Sequence, residues 1–199
     1  MKPLGSNKPH LVIMVGIPGS GKSFFAEHFS DTFKAPIVSF DKIQKELAKN
    51  DQLPEHAEEI AASIADYMLS EVLKTEQTVI YDGPSDLRLQ RDIISRKARI
   101  HGYDTLLVWV QTEQSSSMKR ATKRPTGEIS ITSEEFESRV KHFNNPGRYE
   151  NTVVISGKHT YPSQLKIVLK NLVTPVEKIE KINIPDKPLK PENRRILIR

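Results

Sequence analysis

The chain contains 199 residues, of which 37% are hydrophobic and 28% are charged. These proportions allow one domain with a sizeable core and exclude a wholly disordered chain. Cysteine is absent, which excludes disulfides, thiolate zinc sites, iron–sulfur clusters and cysteine nucleophiles, and favours a reducing compartment. The formal net charge of +5 favours anionic partners without identifying one.

The sequence lacks the signals that place a chain in or across a membrane. No apolar run approaches the roughly 18 residues of a spanning helix, and the first residues lack the apolar stretch of a signal peptide. The six histidines lie far apart, so no i, i+4 metal-binding pair exists. We therefore expect a cytoplasmic chain with no membrane partner and no local histidine metal site, and the sequence identifies no protein partner.

Five apolar runs separated by helical patterns dominate the chain from residue 10 onward. We predict them as buried strands at residues 10–15, 36–40, 78–81, 106–110 and 152–155. Strands that alternate with helices are typical of a parallel sheet covered on both faces and connected by right-handed crossovers. The predicted fold class is therefore α/β, with a five-stranded, mostly parallel sheet.

Helices are predicted where apolar residues recur every three or four positions. The first is marked by Phe25, Phe29 and Phe33. Later helices are predicted at about residues 54–74, 86–101, 113–124, 133–143 and 161–172. In the helix over 54–74, the stripe that packs on the sheet is predicted to be Ile60, Ile64, Met68 and Val72. The apolar positions in the helix over 86–101 are Leu89, Ile93 and Ile100.

The chain divides into a domain at residues 1–174 and a tail at 175–199. Within the domain, Pro125 and Gly127 interrupt the helical pattern, which predicts a helical hairpin that forms a small lid at about residues 113–143. The tail is basic and contains four prolines. A solvated extended tail is favoured over a nucleic-acid-binding arm, and its apolar residues 196–198 offer a third possibility, covering a sheet edge.

Residues 16–23 carry the most specific motif in the sequence. They read Gly-Ile-Pro-Gly-Ser-Gly-Lys-Ser and fit G-x-x-x-x-G-K-[ST] between a predicted strand and a predicted helix. The expected nucleotide contacts are Gly16, Pro18, Gly19, Ser20, Gly21, Lys22 and Ser23. The glycines let the backbone close around phosphates, Lys22 places positive charge on the β- and γ-phosphates, and Ser23 offers a hydroxyl to Mg²⁺. The motif predicts binding of a nucleoside triphosphate with Mg²⁺.

Two aspartates follow predicted strands at the sheet edge where ligands bind in open α/β folds. Asp41, after the second strand, is placed to accept a proton from an attacking hydroxyl, a role that we favour over capping the next helix. Asp82, after the third, resembles the carboxylate that ends a Walker B strand, which predicts an Mg²⁺ contact. A turn aspartate before Gly83 is an equally good interpretation of Asp82.

Three arginines are further candidates. Arg120 and Arg124 share one helical face just before the lid interruption, where closure would bring their charge onto the γ-phosphate. A solvated basic face, shared with Lys119 and Lys123, is the alternative. Arg88 is a candidate for binding an acceptor phosphate, although a surface role fits it better.

Together these residues resemble the P-loop kinases of the polynucleotide kinase and zeta-toxin-like branch. The resemblance covers about residues 10–173 and rests on the phosphate loop, Asp41, the segment 79–83, the arginine pair and the segment 131–136. It implies a P-loop NTPase three-layer sandwich that binds ATP and Mg²⁺ and transfers the γ-phosphate to a hydroxyl. It also implies that Asp41 is the general base and that Lys22, Arg120 and Arg124 stabilise charge.

The sequence departs from that family on the acceptor side. Many members have an arginine three residues after the catalytic aspartate, where this chain has Gln44 with Lys42 and Lys45 nearby. Lys42 and Arg88 are therefore the candidate acceptor contacts. The expected acceptor is a nucleic-acid 5′-hydroxyl. The alternatives are a zeta-toxin-like or other small-molecule kinase and a non-kinase module that binds or hydrolyses ATP.

Two other nucleotide-binding classes are disfavoured. A GTPase would carry an N-K-x-D base-binding motif after the fourth strand, and none occurs there. An AAA-type motor would need a second, helical domain, for which 199 residues leave too little chain.

Overall fold

A parallel sheet of five strands forms the centre of the computed structural model, which describes residues 8–48, 56–123 and 130–173. The strands are β1 His10–Val15, β2 Ile37–Ser39, β3 Val79–Asp82, β4 Asp104–Gln111 and β5 Thr152–Ser156. Their order across the sheet is β2–β3–β1–β4–β5, and each neighbouring pair is parallel. The α/β fold class and the five predicted strands are confirmed.

Seven α-helices connect or follow these strands within the described ranges. They are α1 Lys22–Phe33, α2 Phe40–Ala48, α3 Ala57–Val72, α4 Arg88–Ile100, α5 Gln114–Thr122, α6 Ser133–His142 and α7 Tyr161–Val173. A 3₁₀ turn at Leu73–Thr75 continues α3. Helix α2 is not among the helices predicted above, although Phe40, Ile43 and Leu47 have helical spacing.

The helices cover both faces of the sheet. Helices α1 and α7 pack on one face through Phe25, Phe29 and Val168, and α3 and α4 pack on the other through Leu69 and Ile94. Right-handed crossovers require this division, because the chain moves toward β2 through α1 and back across the sheet through α3 and α4. Strand β1 lies at the centre and is buried along its whole length.

The predicted sheet-facing stripe of α3 is wrong by one position. Its buried residues are Ala61, Ala65 and Leu69, whereas Ile60 and Ile64 are more than one third exposed. Both sets have four-residue spacing, so periodicity alone cannot choose between them. The small alanine side chains let the helix approach the sheet closely, and the larger isoleucines lie at its flank.

The three apolar residues named from the sequence of α4, Leu89, Ile93 and Ile100, likewise do not face the sheet. Ile94 and Ala98 contact the sheet, and Arg91 is fully buried beside them. Leu89 and Ile100 are largely exposed.

Both predicted hairpin helices, α5 and α6, are present. Arg124 and the interruption that follows it, as well as the tail at 175–199, lie outside the described residues. Among the described helices, none is sufficiently long and apolar to cross a membrane.

Candidate nucleotide-binding and catalytic site

The phosphate loop connects the end of β1 to the first turn of α1. Its lysine arches back over the loop: Lys22 Nζ donates to the carbonyl oxygens of Gly16 at 2.6 Å and Ile17 at 3.2 Å. Gly21 precedes the helix in a left-handed conformation, with φ of 109°. The loop thus places the lysine amine and the helix N-terminus around one concave surface, an arrangement that binds phosphate oxygens.

Two glycines hold this loop against neighbouring backbone. Gly19 has φ of 73°, and a Cβ there would lie 2.2 Å from the carbonyl oxygen of Ser117 on α5. A Cβ on Gly157 would lie 2.1 Å from the carbonyl oxygen of Ser20. Thr112 Oγ1 also donates to that Ser20 oxygen, at 2.8 Å. The loop is therefore fixed by α5 and by the ends of β4 and β5 as well as by its own sequence.

A cavity of about 1030 Å³ opens beside the loop at the carboxyl ends of the strands. It brings together most of the residues predicted from the sequence. Those that line it are Pro18, Gly19, Gly21, Lys22, Ser23, Asp41, Lys42, Asp82 and Arg120. The cavity therefore lies at the sheet edge where ligands bind in open α/β folds.

Asp82 ends β3 and is 5% exposed. Burial raises the pKa of its carboxyl group. A hydrogen bond from the Ser23 hydroxyl and the charge of Lys22 oppose that rise, whereas the charges of Asp41 and Glu27 add to it. Burial of an ionised carboxylate is costly, and a divalent cation bound by Asp82 and the Ser23 hydroxyl would offset that cost.

Ser23 and Asp82 supply two oxygen donors beside the phosphate loop. The described residues contain no group of three or more His, Asp or Glu side chains that could hold a metal by themselves. Mg²⁺ in nucleotide sites uses one or two protein ligands and completes its shell with phosphate oxygens and water. Ser23 and Asp82 fit that pattern.

Asp41 lies in the first turn of α2, directly after β2, and its side chain lines the cavity. It is therefore inside the helix and does not precede it as a capping residue would. Its charge contributes to the raised pKa of Asp82, so the two carboxylates belong to one electrostatic site.

Two predicted cations line the same cavity. Lys42 pairs with Glu27 of α1 at 3.0 Å, and its side chain is more than half exposed. Arg120 Nη1 donates to the carbonyl oxygen of Gly157 at 3.4 Å, which directs its guanidinium across the phosphate loop toward the end of β5. Arg120 is thus positioned beside the loop while Lys42 lies on the α2 side.

The remaining predicted residues are placed differently. Gly16 and Ser20 do not line the cavity, although both belong to the phosphate loop, and Ser20 is fully buried. Arg88 does not line it either: its guanidinium is 3.8 Å from Asp92 on the same helix. Arg124 lies outside the described residues.

Sequence reasoning missed much of the polar lining of the cavity. The further polar residues that line it are Glu27, Ser39, Lys45, Glu58, Asp86, Gln90, Lys123, Glu135, Ser138, Arg139 and His142. Four of them, from Glu135 to His142, share one face of α6 at three- and four-residue spacing, which was a visible signal. Arg139 Nη2 donates to Glu135 Oε1 at 2.8 Å along that face.

Comparison of the sequence with protein families gives one assignment. The profile described as AAA domain matches residues 11–146, more than half of the chain and all of the phosphate loop. The chain belongs to this P-loop family. No protein of curated function matches the sequence significantly.

Solved structures with the same fold include several P-loop kinases. A gluconokinase from Sinorhizobium meliloti 1021 is 18% identical with a TM-score of 0.59, and the match covers 84% of this chain and 93% of that one. Kti12 from Chaetomium thermophilum, solved with ADP-AlF3, is 15% identical with a TM-score of 0.62, and the match covers 80% and 96%. These likenesses establish a P-loop kinase-like fold, as the family resemblance predicts.

A third similarity is closer in sequence but partial. A chain of the Pnkp1/Rnl/Hen1 RNA repair complex is 25% identical with a TM-score of 0.56, and the match covers 69% of this chain and 45% of that one. It spans less than half of the larger protein.

Proposed function

We propose that this protein is a kinase that transfers the γ-phosphate of Mg-ATP to a hydroxyl acceptor. One observation carries the proposal: the phosphate loop, Asp82, Asp41 and Arg120 line a single cavity. A protein that only binds nucleotide phosphates would need the phosphate loop alone. A carboxylate for the acceptor and a cation beside the loop are the additional groups that phosphoryl transfer requires.

The residues divide the work by chemical type. Lys22 and the backbone N–H groups of the loop bind the β- and γ-phosphates. Asp41 accepts the proton of the acceptor hydroxyl and orients its oxygen to attack the γ-phosphorus, in line with the bond to ADP that breaks. Arg120, beside the loop, stabilises the negative charge on the γ-phosphoryl group during its transfer.

Ser23 and Asp82 would hold Mg²⁺ together with the nucleotide. When bound, Mg²⁺ neutralises charge on the β- and γ-phosphate oxygens.

The acceptor that we propose first is the 5′-hydroxyl of a nucleic acid. Lys42, Lys45 and Arg139 provide cations on the acceptor side, where a polynucleotide would place its next phosphate. The 25% identity to a chain of an RNA repair complex supports the same class.

A small-molecule acceptor is the second candidate, and one observation favours it. Glu58, Asp86 and Glu135 line the same cavity as the three cations. A wall of mixed sign can donate and accept hydrogen bonds to a polyhydroxylated molecule, whereas carboxylates oppose a phosphate backbone.

The test uses γ-labelled ATP with Mg²⁺ and two acceptor sets, 5′-hydroxyl oligonucleotides and a panel of sugars, nucleosides and nucleotide sugars. Wild type is compared with Lys22→Ala and Asp41→Asn. Lys166→Ala on α7 and Asp31→Asn on α1 are the matched controls, because both residues are outside the cavity. Label on an acceptor that disappears in both site variants and persists in both controls supports the kinase.

The acceptor that becomes labelled decides between the two classes. Label on oligonucleotides selects the polynucleotide kinase, and label only on small molecules selects the zeta-toxin-like or metabolite kinase. Phosphate release without any labelled acceptor, unchanged in Asp41→Asn, would instead identify a module that binds and hydrolyses ATP.

A further inference from the structure

Helix α4 exposes an apolar stripe on the side away from the sheet. Leu89 is 68% exposed, Ile93 is 52% exposed and Ile100 is 78% exposed. Their spacing of four and seven residues places all three along one face of the helix. Single exposed apolar residues are ordinary, but three in a row on one helix form a surface that gains free energy when it is covered.

Helix α3 continues this apolar surface. On α3, Ile60 is 37% exposed and Tyr67 is 67% exposed. Both helices pack on the same face of the sheet, and Lys97 of α4 pairs with Asp66 of α3. The two helices are therefore neighbours, and their exposed apolar residues form one surface two helices wide, here named the α3–α4 surface.

The two halves of this surface carry opposite charge. Helix α3 has no Lys or Arg, and its carboxylates are Glu58, Glu59, Asp66 and Glu71. Helix α4 has one carboxylate, Asp92, and its cations are Arg88, Arg91, Arg96, Lys97 and Arg99. Arg91 is buried, but Arg96 and Arg99 are exposed on the outer side. The Lys97–Asp66 pair shows that the two sets of charges attract one another across adjacent helices.

We propose that the α3–α4 surface binds a second copy of this chain. A two-fold axis that lies in the interface, parallel to the two helices and midway between them, places α3 of each chain over α4 of its partner, so acidic and basic helices meet twice and the apolar stripes cover one another. Such an interface uses the same patch on both chains and closes as a dimer. A partner with charges of only one sign would complement either the acidic α3 or the basic α4, but not both.

The size of the surface sets the strength of the dimer. Helices of 13 and 16 residues are about 20–24 Å long and pack about 10 Å apart, which gives a footprint of roughly 400–500 Å² per chain. Stable dimers bury about 800 Å² per partner. The expected dimer is therefore concentration-dependent and, because opposite charges contribute, weaker at high salt.

The first test is sedimentation equilibrium of the full chain between about 1 and 200 µM, at low and high salt. Wild type should dimerise as its concentration rises, and Ile93→Asp should weaken association at least tenfold. Val173→Asp is the matched control, since Val173 is a similarly exposed apolar residue on the helix that covers the opposite face of the sheet. Circular dichroism checks that each variant is folded.

A charge exchange makes the test specific to this arrangement. One variant carries Arg96→Glu with Arg99→Glu, and the other carries Glu59→Lys with Glu71→Lys. In the proposed dimer each variant loses the attraction between α3 and the partner's α4. The first variant places glutamates opposite the acidic α3, and the second places lysines opposite the basic α4. A mixture places these glutamates opposite these lysines and keeps the original pairing in the other half, so the variants should be monomeric alone and should form a one-to-one dimer when mixed.

Three results would overturn the proposal. They are a wild type that stays monomeric throughout the concentration range, a dimer that persists unchanged in Ile93→Asp, and exchanged variants that do not associate when mixed. None of these measurements depends on nucleotide binding or on any acceptor.

Discussion

Arg91 and Glu150 form a buried ion pair between segments that are 59 residues apart in the chain. Arg91 Nε donates to Glu150 Oε1 at 2.7 Å, and Nη2 donates to Oε2 at 3.1 Å. Arg91 is fully buried, and the remaining guanidinium nitrogen donates to the carbonyl oxygens of Ser85, Asp86 and Asn144 at 2.9–3.3 Å. One side chain thus connects the loop after β3, the segment after α6 and the approach to β5.

The pair also supports the candidate site. Asp86 lines the cavity, and its backbone carbonyl accepts hydrogen bonds from Arg91 and from the backbone N–H of Asn144. Ser85 Oγ donates to the carbonyl oxygen of Met14 on β1 at 2.6 Å. The wall of the cavity that contains Asp86 is therefore held from two sides.

Replacement of Arg91 by Met should destabilise the fold strongly. It leaves the Glu150 carboxylate buried without its partner, which costs about 3–5 kcal/mol. The melting temperature should fall by roughly 10 °C in a chain of this size. Arg88→Met is the matched control, because Arg88 lies on the same helix and is largely exposed. Calorimetry of the two variants measures the difference, and equal melting temperatures would contradict it.

The same pair predicts how this destabilisation depends on pH. Burial alone raises the pKa of Glu150, but hydrogen bonds from Arg91 and from the backbone N–H of Gly147, with the charge of Arg91, outweigh it and lower the pKa below its ordinary 4.5. The stabilisation is therefore present above about pH 4.5 and is lost as the pH falls through the lowered pKa. The gap in unfolding free energy between wild type and Arg91→Met should narrow in acid. Urea denaturation at pH 7, 5 and 3 measures it, and a constant gap would exclude Glu150 as its source.

Gly157→Ala should impair nucleotide binding. A methyl group there would meet the carbonyl oxygen of Ser20 at 2.1 Å and Thr112 Oγ1 at 2.2 Å, so the phosphate loop must move. We expect the Kd for ATP to rise at least tenfold. In the control Gly147→Ala, the new Cβ meets its nearest atom, Glu150 Oε2, at an ordinary 3.6 Å, so affinity should be unchanged. Isothermal titration with ATP decides, and similar affinities in both variants would show that the loop tolerates the displacement.

The parts of the structure that were predictable from sequence depend on local signals. Strands buried on both faces are continuous apolar runs, and the phosphate loop is specified by eight consecutive residues, 16–23. Asp41 and Asp82 followed from the rule that the ends of parallel strands meet at one edge. These features needed no knowledge of distant contacts.

The features that were missed depend on distant contacts or on competition between equal patterns. Ile60 and Ala61 begin stripes with the same spacing, and only close packing on the sheet selects the alanine. The cavity wall on α6 exists because the hairpin folds over the site, which no local motif encodes. The pairing of Arg91 with Glu150 spans 59 residues and leaves no periodic signal.

Asp82→Asn should raise the stability of the fold and lower its ATP turnover. Burial raises the pKa of Asp82, so its ionised form disfavours the nucleotide-free fold. A raised pKa means that stability is highest below the pKa of the unfolded chain and declines as the pH rises through the folded value. At pH 8 the variant should melt about 2–4 °C higher, the shift that about 1 kcal/mol produces, and should lose most ATP turnover. Asp31→Asn, on the exposed side of α1, should change neither. A lower melting temperature in Asp82→Asn would mean that its carboxylate stabilises the fold.

Arg139→Ala should affect the acceptor and spare the nucleotide. Arg139 lines the cavity from α6, and its Nη2 donates to Glu135 Oε1 at 2.8 Å. Removing a cation that binds the acceptor should raise the KM for whichever acceptor the wild type labels by about tenfold, since a hydrogen bond to a charged group contributes roughly 1.5 kcal/mol. The Kd for ATP should stay constant, because Lys22 and the loop backbone bind the phosphates.

Lys141→Ala is the control on the same helix, because Lys141 is exposed and does not line the cavity. An Arg139→Ala variant that weakens ATP binding and leaves the acceptor KM unchanged would reassign this arginine to the donor side.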